Sequence, residues 1–383
     1  MKILEISDSQ THGGAAIASN RIHNCLSNTD LSIKRLTSNS DENHSIFTGR
    51  KFHFFQNILS FFNQDKTILN LYKKEILKQF KIALLREKPD ALHFHNIHSA
   101  NWPIDIIKAG LDYCNVVWTL HDCWSFITSY YEGYKAPFFE EDDARKNRFW
   151  ESLPQKQFNL VGVTPSAWMK KTAQDSLWSK NKIEIIHNPV PHKFFKTTQR
   201  NSTKKALGLD EQLPVVLCCA ANLNEERKGA RFLDAILNHK ILEKFQLVLL
   251  GNCNLSADSQ NGNVHNLGFI RDDITLRMVY SAADMLKMDI EGSEKTVIPH
   301  CNDLLRNVKN LFIEYHGSYK DHDSLLNILN ILRKTGFIFR LRELSVEKKP
   351  FYMLQEGLEK KVQYNIFAYQ IRELNNNPSS TAL

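Results

Sequence analysis

The sequence predicts an α/β chain built from two doubly wound domains in series. Short apolar strand runs alternate with helical patterns twice over, and a polar, Pro-containing stretch at 188–203 (NPVPHKFFKTTQRNST) separates the two series. The third observation is size: 383 residues support two or three domains, each with a core of its own. A composition of 42% hydrophobic and 24% charged residues, with 15 Gly and 11 Pro, excludes collagen-like, low-complexity and wholly disordered chains.

The first series opens with the apolar strand KILEI (2–6), the polar Gly-bearing turn DSQTHGGAA, and a helix marked by Ala18, Ile22, Cys25 and Leu26 on one face. A strand, a Gly-rich turn and a helix N-terminus form an anion-binding geometry, because glycines admit close backbone approach and the helix dipole favours negative charge. The turn departs from G-x-G-x-x-G, so it does not specify a dinucleotide site. Strands follow at 91–94, 116–120, 160–163 and 183–186, with helical patterns at 67–86 and 166–178. After the break come strands at 215–220, 246–250, 264–267, 286–290, 311–315, 337–341 and 364–369, with helices near 229–238 and 273–283. The tail NNNPSSTAL reads as a disordered end. Two such domains in series are expected to set a cleft at the carboxyl ends of their strands.

The net charge is +7, and residues 1–200 carry 26 basic against 20 acidic side chains. Residues 50–88 alone hold nine basic and three acidic residues, so the excess is a local basic surface and no nucleic-acid partner is expected. Within it, Phe54, Phe55, Ile58, Leu59, Phe62 and Leu69 share a helical face beside basic residues. That pattern fits two arrangements. One is an interfacial helix over 50–78 in peripheral contact with anionic lipid; the other, commoner one is a core-facing helix with solvated lysines. Seven scattered cysteines without a C-x-x-C pair suit a reduced compartment. The sequence has neither a signal-peptide pattern nor an apolar run long enough to span a membrane, so a cytoplasmic location is expected.

Seven strings occur in one order: ISDSQTHGGAAIASNRIHNCL, LHFHNIHSANWP, VVWTLHDCWSF, VGVTPSAWMKK, IIHNPV, ERKGARFL and VHNLGFIRDD with VYSAAD. Together, over about residues 1–284, they resemble family-4 glycosyltransferases of the GT-B fold, retaining enzymes of bacterial surface-polysaccharide synthesis. The resemblance implies two Rossmann-like domains and transfer of a hexose or similar sugar from a nucleotide-diphosphate donor to a glycan or lipid-linked acceptor. It implies neither a permanently bound cofactor nor an obligatory metal. A departing sugar diphosphate needs its developing charge stabilised. Gly13 and Gly14 would cradle the phosphate, and Arg227 with Lys228 in ERKG would clamp it. His121 and Asp122 end a strand where the family places a His-Asp pair: His121 would donate to the sugar or steady the transition state, with Asp122 orienting it. His93, His95 and His98 have metal-ligand chemistry but alternate on a strand edge with no carboxylate nearby, so no metal is expected. Asn188 in HNPV matches the family's interdomain crossing and reads as a hinge.

The pattern fails in the second series. Asn222 stands where many relatives carry an Arg six residues before the Lys of the RKG motif, and after Asp284 no two Glu residues are eight apart, so the Glu-x7-Glu donor motif is missing. Instead, LKMDIEGSEKTVI, NVKNLFIEYHG, LRKTGFIF and QYNIFAYQ, over about 286–371, resemble the C-terminal half of FkbM-type methyltransferases, whose cofactor is S-adenosylmethionine. The motif residues are Asp289, Glu291 and Gly292. That family's Gly-rich cofactor loop belongs upstream, and 200–284 does not supply it. The expected organisation is therefore an acceptor-side domain over 1–195, a partial donor-side domain over 196–284, a methyltransferase-like part over 285–373 and a tail over 374–383. Both parents place a strand after a helix near Met285, so strands from either side are expected to pair in one hybrid parallel sheet. Three functions remain open on this reading: a glycosyltransferase with impaired donor binding, an S-adenosylmethionine-dependent methyltransferase, or a silent fusion that binds glycan or lipid.

Overall fold

The structure, a computed structural model, describes residues 1–9, 13–37, 66–127, 140–153, 159–191, 198–224, 230–254, 262–270, 272–288, 294–300, 305, 308–318, 322–343 and 361–370. The chain forms two compact units, Met1–Val190 and Pro191–Leu383.

The first unit carries a six-stranded, all-parallel sheet: β1 (Lys2–Ser7), β2 (Ser32–Thr37), β3 (Ala91–Phe94), β4 (Asn115–Thr119), β5 (Leu160–Thr164) and β6 (Lys182–Ile185), in the order β2-β1-β3-β4-β5-β6. Its inner strands are apolar runs because helices cover both faces of a parallel sheet. β1 is buried from Ile3 onward. Strand order reverses between β1 and β3, and this switch point opens a crevice outside the strands' carboxyl ends.

Helix α1 (Gly14–Leu26) follows β1, and α2 (Lys66–Glu87) precedes β3. In α2, Tyr72, Ile76, Phe80, Ala83 and Leu84 recur at helical spacing and join the core, while Leu71, Lys74, Lys78, Lys81, Ile82 and Leu85 are exposed. Leu69 packs on that core, whereas Phe54, Phe55, Ile58, Leu59 and Phe62 lie outside the described residues. Helices α3 (Asp105–Leu111), α4 (Glu140–Ser152) and α5 (Ala167–Gln174) complete the layers. One continuous core runs from Leu4 to Ile183. Trp178 sits fully buried within it, edge-on to Trp118 and Trp150, over Gly162, where a Cβ would come within 2.9 Å of the indole.

The second unit carries a seven-stranded sheet in the order β12-β13-β11-β10-β7-β8-β9. The strands are β7 (Val215–Asn222), β8 (Gln246–Asn252), β9 (Val264–Asn266), β10 (Met285–Met288), β11 (Asn310–Ser318), β12 (Phe337–Glu343) and β13 (Lys361–Gln370). Strands from both sides of residue 285 share this sheet, as the sequence predicts, and β7–β11 are parallel. Beyond those five strands the sheet turns mixed, with β13 antiparallel to both β11 and β12. An antiparallel pair needs no crossover helix between its strands.

Asp284 fastens the middle of this sheet. Its amide donates to Val215 O (2.9 Å), its Oδ2 accepts from Val215 N (2.9 Å), and its carbonyl accepts from Asn310 N (3.2 Å). Buried Lys204, in helix α6 (Arg200–Ala206), pairs with the same carboxylate at 2.7 Å. Further helices are α7 (Ala230–Leu237), α8 (Asp273–Ala282), α9 (Glu294–His300) and α10 (His322–Lys334).

Candidate active site

The carboxyl ends of β1, β3 and β4 gather the polar residues of the first unit. Beyond β1, Asp8 is held by its amide on Asn96 O (2.7 Å) and by Ser99 N on its Oδ2 (3.1 Å). Burial is the main influence on its carboxyl and raises its pKa against the nearby His98. Beyond β4, Asp122 Oδ1 accepts from Trp124 N (3.0 Å), and Oδ2 accepts from Asn96 Nδ2 (3.0 Å) and lies 3.3 Å from His98 Nε2. Burial pushes the Asp122 carboxyl up to about 6 despite those donors and Lys146. His98 stacks on Trp124 at 5.1 Å between ring centres. A buried carboxylate (Asp8), a half-buried one (Asp122) and an imidazole thus stand at the switch point, a set able to hold and pass a proton.

His121 occupies a different environment. Its Nε2 meets His95 Nδ1 at 3.0 Å, and its ring stacks on that of His95. Burial, then His93, lowers its pKa to about 4, so this imidazole is neutral at physiological pH. The expected pairing of His121 with Asp122 is therefore corrected: Asp122 orients His98, and His95 orients His121.

Gly13 caps α1 with φ 90 and ψ 163, a backbone conformation that L side chains rarely adopt. Among the described residues, a Cβ on Gly13 or Gly14 would meet no atom within 4 Å, and the first amides of a helix have no partner within it. Arg227 and Lys228, and likewise Asp289, Glu291 and Gly292, lie outside the described residues. Asn188 is exposed, two residues before the end of the first unit.

The sequence singled out His121, Asp122 and the glycines, but not Asp8, Asn96 or the role of His98. Their signal is polarity where a strand leaves an apolar run: Ser7-Asp8 after KILEI and His95-Asn96 after ALHF.

Comparison with known proteins divides the chain in two. The family model described as Glycosyltransferase Family 4 matches residues 53–194, and that described as Methyltransferase FkbM domain matches residues 187–339. The two resemblances read from the motifs are thus both found, and the matches meet at the border between the compact units. The second match reaches further upstream than the motifs do and takes in β7–β9. No curated protein matches the chain in sequence. Among solved structures, a sucrose-phosphate synthase from Thermosynechococcus elongatus is similar with a TM-score of 0.52 at 14% identity, over 75% of this chain and 74% of that one. A glycosyltransferase from Rickettsia africae follows at TM-score 0.46 and 12% identity, covering 79% and 76%. Anabaena HepE, solved in complex with UDP and glucose, follows at 0.44 and 13%, covering 79% and 78%. The fold is GT-B-like, with two Rossmann-like sheets of which the second is a hybrid.

Proposed function

We propose that the protein transfers a hexose or similar sugar from a nucleotide-diphosphate donor to a glycan or lipid-linked acceptor, as in surface-polysaccharide assembly. The observation that carries this reading is the switch point of the first sheet, where the Gly13 turn, Asp8, His98 and Asp122 stand at neighbouring strand ends. Backbone amides at the start of α1 suit a diphosphate, whose charge grows as the sugar departs. The His98–Asp122 couple suits proton handling at an acceptor hydroxyl. With Nε2 committed to His95, His121 has Nδ1 to offer a sugar hydroxyl. Arg227 and Lys228 would clamp the diphosphate, and retention of configuration would follow from the family.

A second reading has its own support. The methyltransferase match spans most of the second unit, whose mixed sheet differs from the parallel sheet of the first. On this reading the unit would carry out an S-adenosylmethionine-dependent methyl transfer, with Asp289, Glu291 and Gly292 as its motif residues. Calorimetric titration with UDP-sugars, GDP-sugars and S-adenosylmethionine separates the two. The proposal expects a nucleotide sugar to bind, with Gly13→Val weakening it about tenfold or more. Binding of the methyl donor alone transfers the assignment to the second reading. Binding of neither leaves a silent fusion, and both readings fall.

Exposed Lys74, Lys78 and Lys81, with Leu71, Ile82 and Leu85 on the same side of α2, suit peripheral contact with anionic lipid where a lipid-linked acceptor resides. Among the described residues, no helix is long and apolar enough to cross a membrane.

A further inference from the structure

Beneath His121 lies a cluster that the proposed transfer does not use. Register pairs Glu5 of β1 with His93 of β3, and His95 follows two residues on. The sequence expectation that no carboxylate stands near these histidines is corrected by this pairing, which brings in a residue 88 positions upstream. One atom of each side chain, a Glu5 carboxylate oxygen and one nitrogen from each of His93 and His95, lies within 4.8 Å of the others. Glu5 and His95 are fully buried, and His93 keeps 13% of its side chain exposed, which leaves a route from solvent.

The outer atoms of all three side chains are taken. His93 Nε2 meets Thr119 Oγ1 at 2.8 Å, His95 Nδ1 meets His121 Nε2 at 3.0 Å, and Glu5 Oε2 meets His23 Nδ1 at 2.5 Å. The inner atoms differ. Glu5 Oε1 and His95 Nε2 make no hydrogen bond, and His93 Nδ1 stands 3.9 Å from Glu5 Oε1. Metal-binding imidazoles are held this way, one nitrogen hydrogen-bonded outward so that the other presents its lone pair to the ion. A buried carboxylate oxygen facing imidazole nitrogens without a shared proton or cation is electrostatically costly.

We propose that Glu5 Oε1, His93 Nδ1 and His95 Nε2 bind a divalent transition-metal ion of the zinc class. Two imidazoles and a carboxylate are a zinc-type donor set, and ligands at about 2 Å from the ion would draw the trio inward by small side-chain rotations. The site would be structural first, tying β1 to β3. It would also fix a tautomer: with the metal on Nε2, His95 donates from Nδ1 to His121 Nε2, leaving the His121 proton on Nδ1. Arg35 is the opposing group. Its guanidinium bonds Asn20 Oδ1 (3.0 Å) and Ser19 Oγ, and its charge is felt at Glu5, His93 and His95.

The test is titration of the chelator-treated full chain with Co2+ and Zn2+, read by visible absorption of the cobalt form and by bound metal per chain. The expected result is one tightly bound ion with a low-symmetry cobalt spectrum, both lost in His95→Gln. His239→Gln, at an exposed histidine remote in the chain from the cluster, keeps both. Thr119→Val keeps the ligands and removes an outer support, so it serves if His95→Gln fails to fold; affinity should fall about 10–100-fold. Arg35→Met should tighten binding. The proposal is overturned if the wild-type chain binds no stoichiometric metal, or if folded His95→Gln or Thr119→Val binds as tightly as wild type.

Discussion

The two units bury their apolar residues differently. In the first, one cluster extends from Leu4 to Ile183 through every layer. In the second, the described residues form three clusters, and none crosses residue 285: two are drawn from 207–282, and the third from 298–368. The backbone nevertheless crosses where the cores do not. Among the described residues, β10 pairs with β11 along Met285–Met288 but with β7 at Met285↔Val216 alone. Among the described side chains, backbone hydrogen bonds thus join parts of the sheet that no one apolar cluster spans. Asp284 and its partners add side-chain links at the same place.

Substitutions can break this contrast, beginning with the largest effect. Trp178→Ala removes a fully buried indole and its bond to Ser125 Oγ (3.0 Å), at a cost of about 5 kcal/mol. In a urea titration followed separately in each unit, the whole first unit should lose stability and the second should keep its midpoint. Equal losses in both would contradict independent cores. Asp284→Ala should cost the second unit about 3–4 kcal/mol, because it leaves the buried Lys204 ammonium and the Val215 amide without their carboxylate. Changing Lys204 and Asp284 together to Met and Leu should recover part of the loss in the same titration.

Asp122 gives a pH-dependent test within the first unit. Its carboxyl keeps its proton to about 6 in the fold but only to 3.8 as a free side chain, so the native state holds the extra proton between those values. Stability owed to Asp122 therefore rises as pH falls through 6 and levels off below 3.8, opposite to an ordinary paired carboxylate. Relative to Asp122→Asn, the wild type should gain about 2–3 kcal/mol between pH 7 and pH 4. The neighbouring charged groups are His98, Asp8 and Lys146, and a slope that survives in the Asn variant would move the effect to one of them. The smallest effect belongs to Gly13→Ala. With no described atom within 4 Å of the new Cβ, the penalty is that of the backbone conformation, about 1–2 kcal/mol, seen as a modest fall in melting temperature.

Most of the architecture was legible in the sequence because parallel strands buried on both faces are written as short apolar runs such as VVWTL and QLVLL. The direction of β13 was not, since YNIFAY carries the same alternation whichever way it runs. Strand ends pointed to His121 and Asp122, but which imidazole each faces depends on pairing across β1, β3 and β4. Glu5 was invisible for the same reason: inside KILEI it reads as the polar side of a strand, and only register sets it against His93. The motifs put the joint between families near 285, whereas the methyltransferase match begins at 187 and the compact-unit border follows Val190.

Hydrogen exchange of the full chain, resolved to single strands, tests most directly whether the second unit is one domain despite its divided core. The account predicts that the amides of Val215, Asp284 and Asn310 exchange through one shared opening, with β7, β8, β10 and β11 losing protection at the same denaturant concentration. Loss of β10–β13 protection at a concentration where β7–β9 remain fully protected would contradict it.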